Sequence, residues 1–306
     1  MAFALEITDL KKTYPGGVEA LKGISFAVNE GDFYALLGPN GAGKSSTIGI
    51  IGSLVTKSSG KVKIFDIDTD GNNEQAKMML GVVSQEINFS QFEKVMDIVV
   101  TQAGFYGISK SEALPRVESI LKRLGLWDKK DVQARTLSGG YKRRLMIAKA
   151  LVHEPKLLIL DEPTAVLGPQ DIDSLLDVIK RLRSESGIGV VLISHKMAEI
   201  EQVADRVSVL RRGKVVSSSS VSGISTQELI GLMMGTDEVA VAQRRTSKQL
   251  VGNPILALNG VGVNIEMGGL SEVSLDVHPG EIVGIAGVSG NGQAELVRVL
   301  SGTLEI

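Results

Sequence analysis

An α/β fold around a parallel central sheet is the class that this sequence predicts, and three observations carry it. Leu157-Leu158-Ile159-Leu160 and Val190-Val191-Leu192-Ile193 are short, wholly apolar runs that suit parallel strands covered on both faces. Segments with helically spaced apolar residues alternate with such runs. A glycine-rich stretch, Gly38-Pro39-Asn40-Gly41-Ala42-Gly43-Lys44-Ser45, connects an apolar strand (Tyr34 to Leu37) to a helical pattern (Thr47 to Leu54). That context is the one in which a phosphate-binding loop works. Its glycines let successive N–H groups curl toward phosphate oxygens, and the helix that follows adds its positive end. Lys44 is placed to reach β- and γ-phosphates, and Ser45 to offer its hydroxyl to Mg²⁺.

Taken in order, Leu5 to Thr8, Ile24 to Val28 and Phe33 to Leu37 read as strands, with Asn29-Glu30-Gly31-Asp32 as turn chemistry before the last. Gly81 to Ser84 reads as another. From Gln91 to Leu126 the helical spacing of Val95, Ile98 and Val99, then of Val117, Ile120, Leu121 and Leu124, predicts a helical insertion. Asp161 and Glu162 directly follow four aliphatics, which puts acidic charge beside the core, where it needs a cation. Asp161 is expected to end a strand beside the phosphate-loop strand. Ser217-Ser218-Ser219-Ser220 reads as a loop, and Thr236 to Lys248 as a linker.

Composition narrows the function. With 306 residues, 43% hydrophobic and 22% charged, the chain can bury one large core or two smaller ones. The net charge is −2, and basic runs such as Lys142-Arg143-Arg144 and Arg211-Arg212 read as scattered solvated positions, so no basic face points to nucleic acid. The absence of cysteine excludes disulfides, thiolate metal sites and cysteine catalysis. His153, His195 and His278 have no metal-ligand spacing. The opening residues do not read as a secretory signal, and no apolar run approaches the roughly 20 residues of a membrane span. A membrane role is therefore expected to run through a partner.

Gly269 to Gly302 repeats Ala20 to Ser53 at a constant offset of 249. Leu21, Ser25, Val28, Gly31, Gly38, Gly41 and Gly43 recur as Leu270, Ser274, Val277, Gly280, Gly287, Gly290 and Gly292. The second copy carries Gln293 in place of the lysine and Ala294 in place of the serine, so phosphate would be held only weakly. The expected domains are 1–240, a linker at 241–253, and a partial second copy at 254–306. Within that copy Ile282 to Ala286 reads as a central parallel strand, and Asn253 to Ile306 is expected to be marginally ordered for want of neighbouring strands.

Leu137-Ser138-Gly139-Gly140 before a helix, and Leu157-Leu158-Ile159-Leu160-Asp161-Glu162-Pro163 shortly after it, join the glycine loop in an order that resembles the ATPase domain of ABC proteins. The resemblance covers nearly all of Leu5 to Gly235. It implies a P-loop NTPase fold with a RecA-like core, an antiparallel β edge and a helical subdomain at about 91–144. It also implies ATP as ligand, held by Gly38, Pro39, Asn40, Gly41, Ala42, Gly43, Lys44, Ser45 and Ser46, with Tyr14 stacked on adenine. Mg²⁺ would be bound through Ser45, Gln85 and Asp161. Glu162 would polarise the attacking water, and His195 would contact the γ-phosphate. Ser138, Gly139 and Gly140 would form an anion site for ATP bound by another domain, so that hydrolysis requires a second ATPase domain, identical or not. Tyr141 stands where a Gln is usual, and Gly168 where many members place an Asp.

A separate transmembrane permease is the partner that this resemblance implies, which places the chain in the cytoplasm at the inner face of the membrane. Phe89, Phe92, Phe105 and Tyr106 either receive the permease or fill the core. Up to about Ala165 the sequence is similar to single-domain exporter ATPases, and from Val166 onward to tandem ATPases of sugar and nucleoside importers, with a truncated second domain. All twelve aromatic residues lie at or before Tyr141, in keeping with a mosaic. Import and export stay open here; the lack of basic patches or long coiled arms counts against a soluble ATPase acting on ribosomes or DNA, and intact Lys44, Asp161 and Glu162 count against an idle binding module, for which Gly168 is the best support.

Overall fold

The computed structural model describes residues 3–165, 167–235, 252–265, 268–286 and 292–304. Most of the expected linker lies outside these residues, as do Val166, Gly287 and Gly290. The chain divides into two compact units, Met1–Val239 and Ala240–Ile306.

In the first unit, β1 (Phe3–Thr13), β2 (Glu19–Asn29), β4 (Ser59–Ile64) and β5 (Ile67–Asp68) form an antiparallel sheet in the order β2-β1-β4-β5. Between β2 and β4 run β3 (Phe33–Leu37) and α1 (Lys44–Ile51). The turn into β3 is tied by Asp32, whose Oδ2 accepts from Asn29 N at 3.2 Å and from Asn29 Nδ2 at 2.8 Å. Every residue of β3 is buried, as its aliphatic run requires. After β5 come α2 (Asn73–Met78) and β6 (Leu80–Val83). The helical arm follows, with α3 (Val95–Phe105), α4 (Lys110–Arg123) and α5 (Gly139–Leu151). Helix α4 starts in a capping box of Ser109 and Glu112 and buries Ala113, Val117, Ile120 and Leu121, the face that the spacing anticipates.

The remaining elements of this unit are β7 (Leu157–Asp161), α6 (Pro169–Ser186), β8 (Gly189–Ser194), α7 (Met197–Val203), β9 (Arg206–Arg211), β10 (Lys214–Ser220) and α8 (Thr226–Met234). The second sheet has the order β10-β9-β3-β8-β7-β6, parallel except for the β9–β10 pair. This order corrects one expectation. The strand that ends in Asp161 is not beside the phosphate-loop strand, because β8 pairs with β3 on one side and with β7 on the other. Parallel strands are joined by long crossovers, so proximity in sequence does not fix adjacency in the sheet.

Two further expectations are corrected. Ser217 to Ser220 are not a loop but belong to edge strand β10, paired with Val209 to Arg206. Ser218 also joins Ser208 and Tyr34 in a chain of hydroxyl hydrogen bonds that satisfies polar groups against the core. Lys142-Arg143-Arg144 is not uniformly solvated, since Arg143 is only 5% exposed.

Among the described residues, the second unit comprises a hairpin, β11 (Leu256–Ile265) with β12 (Gly268–Val277), and α9 (Gln293–Leu300). Among the described residues its buried apolar core is small: Leu258, Val261, Leu270 and Leu296. Helix α9 repeats α1 at the offset of 249, and both helices begin after a left-handed glycine. A Cβ on Gly43 would lie 2.7 Å from Ala20 O and 2.7 Å from Leu21 Cδ2. On Gly292 it would lie 2.9 Å from Gly269 O and 2.8 Å from Leu270 Cδ2, the corresponding atoms. Ile282 to Ala286 form no strand, and Ile282 is 89% exposed. Among the described residues nothing pairs with this segment, and an unpaired extended run has no ladder to hold it.

Candidate phosphate-loop site

The site lies where β3, β7 and β8 end. The β3 strand delivers the chain into the glycine loop, and Gly43, at φ 109°, turns it into α1. Lys44 is buried at the first position of that helix, and its Nζ donates to Gly38 O at 2.7 Å and to Pro39 O at 3.1 Å. Burial pulls its pKa down, while Glu162 and Asp161 hold it up. Ser45 is exposed, and Ser46 Oγ lies 3.1 Å from the Tyr14 hydroxyl. Tyr14 therefore stands beside the first turn of α1, with Lys12 Nζ 4.7 Å from the centre of its ring.

Asp161 closes β7. Burial pushes its carboxyl up and Glu162 adds to the shift, whereas Lys44 and Arg143 oppose it. Glu162 adopts a left-handed backbone at φ 45°, a conformation that costs a non-glycine residue about 1–3 kcal/mol unless its surroundings hold it. Its N–H donates to Ile193 O at 3.0 Å, and its own carbonyl accepts from Ala165 N at 3.0 Å. This backbone directs the carboxylate between two partners. Gln85 Nε2 donates to Oε2 at 3.3 Å, and His195 Nδ1 lies 3.1 Å from Oε1. Residues that are 77 and 33 positions away in sequence thus meet on one carboxylate.

Ser138, Gly139 and Gly140 are not brought to this cluster. They open α5 on the helical arm, where Ser138 makes no side-chain cap and Ser138 and Gly139 are exposed. A Cβ on Gly140 would lie 2.8 Å from Asp171 Oδ1, and one on Gly139 would lie 3.2 Å from Leu167 Cδ2. Among the described residues, no hydrogen bond joins 138–140 to the loop at 38–46.

Arg143, which the sequence reads as solvated, is buried beside this cluster. Its Nη1 donates to Ser84 O and Gln85 O at 2.9 Å each, which bolts α5 to the segment carrying Gln85. A signal for its burial was present. Gly140, Arg143 and Ile147 fall at helical spacing on one buried face.

Of the four aromatic residues near the start of the helical arm, Phe92 is 72% and Phe105 80% exposed, while Phe89 packs on the core. Tyr106 stacks on His153 and also lines a groove of about 330 Å³ with Leu54, Asn88, Gln102, Met146 and Lys149. A larger cavity of about 490 Å³, lined by Arg116, Arg123, Glu154 and Lys156, shares no residue with the Lys44–Glu162 cluster.

Residues 21–165 match the ABC transporter family. The chain is 33% identical over 311 residues to the nucleoside import ATP-binding protein NupA of Lactococcus lactis, covering 99% of this chain and 60% of that protein. It is 37% identical over 213 residues to the linearmycin resistance ATP-binding protein LnrL of Bacillus subtilis, covering 70% of this chain and 68% of that one. Among solved structures, cbiO1 of Clostridium perfringens, part of the ABC transporter complex cbiONQ, superimposes with a TM-score of 0.69. The identity is 29%, over 75% of this chain and 93% of that one. The chain spans about 60% of the length of the import proteins that it matches.

Proposed function

The chain belongs to the ABC transporter family of ATP-binding proteins, and from that premise we propose that it binds Mg·ATP, hydrolyses it and powers a separate membrane permease. One observation carries the proposal: the Glu162 carboxylate is held between Gln85 and His195, in the field of Lys44, at the ends of adjacent strands. Glu162 is the base that orients water for in-line attack on the γ-phosphate. Lys44 and the N–H groups of the loop offset phosphate charge, and His195 contacts the terminal phosphate. Tyr14 stacks on the base.

The donors present suit Mg²⁺. Ser45 offers a hydroxyl, Asp161 a carboxylate and Gln85 an amide oxygen, all hard ligands. Among the described residues no three His, Cys, Asp or Glu side chains cluster to hold a metal by themselves. An ion that takes one or two carboxylates and completes its shell with phosphate and water oxygens fits this set. When bound, it would offset charge on the phosphates undergoing transfer.

The remote position of Ser138–Gly140 supports a composite site in which a second domain, identical or not, supplies the signature loop in trans. The groove beside Tyr106 and the exposed rings of Phe92 and Phe105 give a docking place for the permease. No helix among the described residues is long and apolar enough to cross a membrane, which fits that division of labour. Import is the direction favoured, because relatives aligned along 99% of this chain are import proteins. Residues 254–306 are then the start of a second ATPase domain with a lysine-less loop.

Light scattering on Glu162→Gln, with and without Mg·ATP, tests the composite site, since blocked hydrolysis traps a closed pair. A shift from monomer to dimer is expected. A monomer that persists while ATP is bound would contradict pairing of identical chains, and phosphate release by the wild-type chain no faster than by Lys44→Ala would contradict hydrolysis itself.

A further inference from the structure

Glu199 lies on α7 and is 3% exposed, a buried carboxylate outside the cluster described above. Its two oxygens serve two different segments. Oε2 accepts a hydrogen bond from Ser194 Oγ at 2.9 Å, one residue before His195. Oε1 accepts from Thr164 Oγ1, two residues after Glu162. Lys196 supplies the opposite charge, with its Nζ 3.2 Å from Glu199 Oε1 and donating to Thr164 O and Oγ1 at 3.3 Å each. The Lys196 backbone N–H donates to Ser194 Oγ at 3.1 Å, which closes the network.

We propose that Glu199 is a positioning residue for hydrolysis, clamping the segment that carries Glu162 to the segment that carries His195; the proposal rests on the ATPase reading above. A buried carboxylate is costly unless it is paired and hydrogen-bonded, and this one is satisfied by donors from the two segments that must stay in register. Glu162 has a left-handed backbone that would relax if its surroundings loosened, and the exit of β8 provides the Ile193 carbonyl that holds it. Without the clamp, the 3.1 Å contact to His195 and the 3.3 Å contact to Gln85 lose their common frame. Displacement of a catalytic group by about 1 Å costs up to about 100-fold in rate. ATP affinity is set chiefly by the loop at 38–46 and by Tyr14, so loosening this frame weakens it far less than it slows turnover.

The test measures kcat, ATP affinity and thermal stability on the full chain for Glu199→Gln, Thr164→Val, their double variant, Thr164→Ser and the Lys44→Ala baseline. Glu199→Gln and Thr164→Val are expected to lower kcat by about 10- to 100-fold with a much smaller loss of ATP affinity. The double variant should be no slower than the worse single, because both changes open one clamp. Thr164→Ser, which keeps the hydroxyl, should regain most of the rate lost in Thr164→Val. Wild-type kcat in Glu199→Gln, a proportional loss of affinity and rate, or additive losses in the double variant would each overturn the proposal. If Glu199→Gln does not fold, the near-isosteric Thr164→Val decides, and wild-type kcat there overturns it. A wild-type rate no higher than that of Lys44→Ala overturns the ATPase reading and this inference with it, whereas the other adverse results leave hydrolysis standing.

Discussion

Gly43→Ala places a methyl group where the phosphate loop has no room for it. The backbone there has φ 109°, and forcing a residue with a Cβ into such a region costs about 1–3 kcal/mol. The new Cβ would also stand 2.7 Å from Ala20 O, a main-chain atom in β2 that cannot swing aside, and 2.7 Å from Leu21 Cδ2. Overpacking of that kind typically costs a further 1–3 kcal/mol or so, which brings the gross penalty to about 2–6 kcal/mol. Gly41→Ala is the internal control. Gly41 also has positive φ, at 77°, but an added Cβ meets nothing within 4 Å, so only the backbone strain of about 1–2 kcal/mol applies. Urea unfolding followed by the fluorescence of Trp127, the single tryptophan and a residue of the first unit, reads both variants. Gly43→Ala should lower stability by about 1–3 kcal/mol more than Gly41→Ala does, the difference being the clash. Equal stability of the two variants, with ATP affinity retained in Gly43→Ala, would refute this account of the loop.

Three other outcomes are expected. Arg143→Met strands the carbonyls of Ser84 and Gln85 and removes two 2.9 Å charge-assisted bonds, so the urea transition should fall by about 2–3 kcal/mol. His153 donates from Nε2 to Leu80 O while Nδ1 is buried without a partner, and burial pulls its pKa below the ordinary value. Because the folded pKa is the lower one, the neutral ring is favoured in the fold. Stability is full above about pH 6.5 and is lost as pH falls through that value toward the folded pKa. His153→Phe, which keeps a ring against Tyr106, should flatten this acid slope in melts taken at descending pH. Gly168→Asp meets nothing within 4 Å at a backbone of φ −73° and ψ 161°, the N-cap of α6, so its melting temperature should hold or rise by the equivalent of a few tenths of a kcal/mol.

What could be read from the sequence was local. The aliphatic run of β3, the turn at Asn29 to Asp32 and the amphipathic face of α4 declare themselves within a few residues, because side-chain period and turn chemistry act over that range. The placement of Lys44 at a helix start followed from the loop around it. What could not be read depends on distant partners. The insertion of β8 between β3 and β7 is a property of crossovers, and the meeting of Gln85, Glu162 and His195 depends on that insertion. Ser217 to Ser220 look like loop residues until Ser208 and Tyr34 are present to bond them. Arg143 and Glu199 carry charges that composition assigns to the surface, and only their buried partners explain why they are inside. Ile282 to Ala286 show the converse, an apolar run whose strand character needs neighbours.

Gly292 adopts the left-handed turn of Gly43 and is blocked by the corresponding carbonyl and leucine methyl, although Gln293 stands where Lys44 does in the first unit. The glycine at that place therefore answers to the hairpin beneath it and would be demanded in a loop that never met a nucleotide. Counting it toward a phosphate motif mistakes a steric tolerance for a chemical commitment. In a chain of this kind the two diagnoses separate cleanly: the glycine says how strand, hairpin and helix nest together, and only the cation and hydroxyl that follow it say whether the nest was furnished for a ligand.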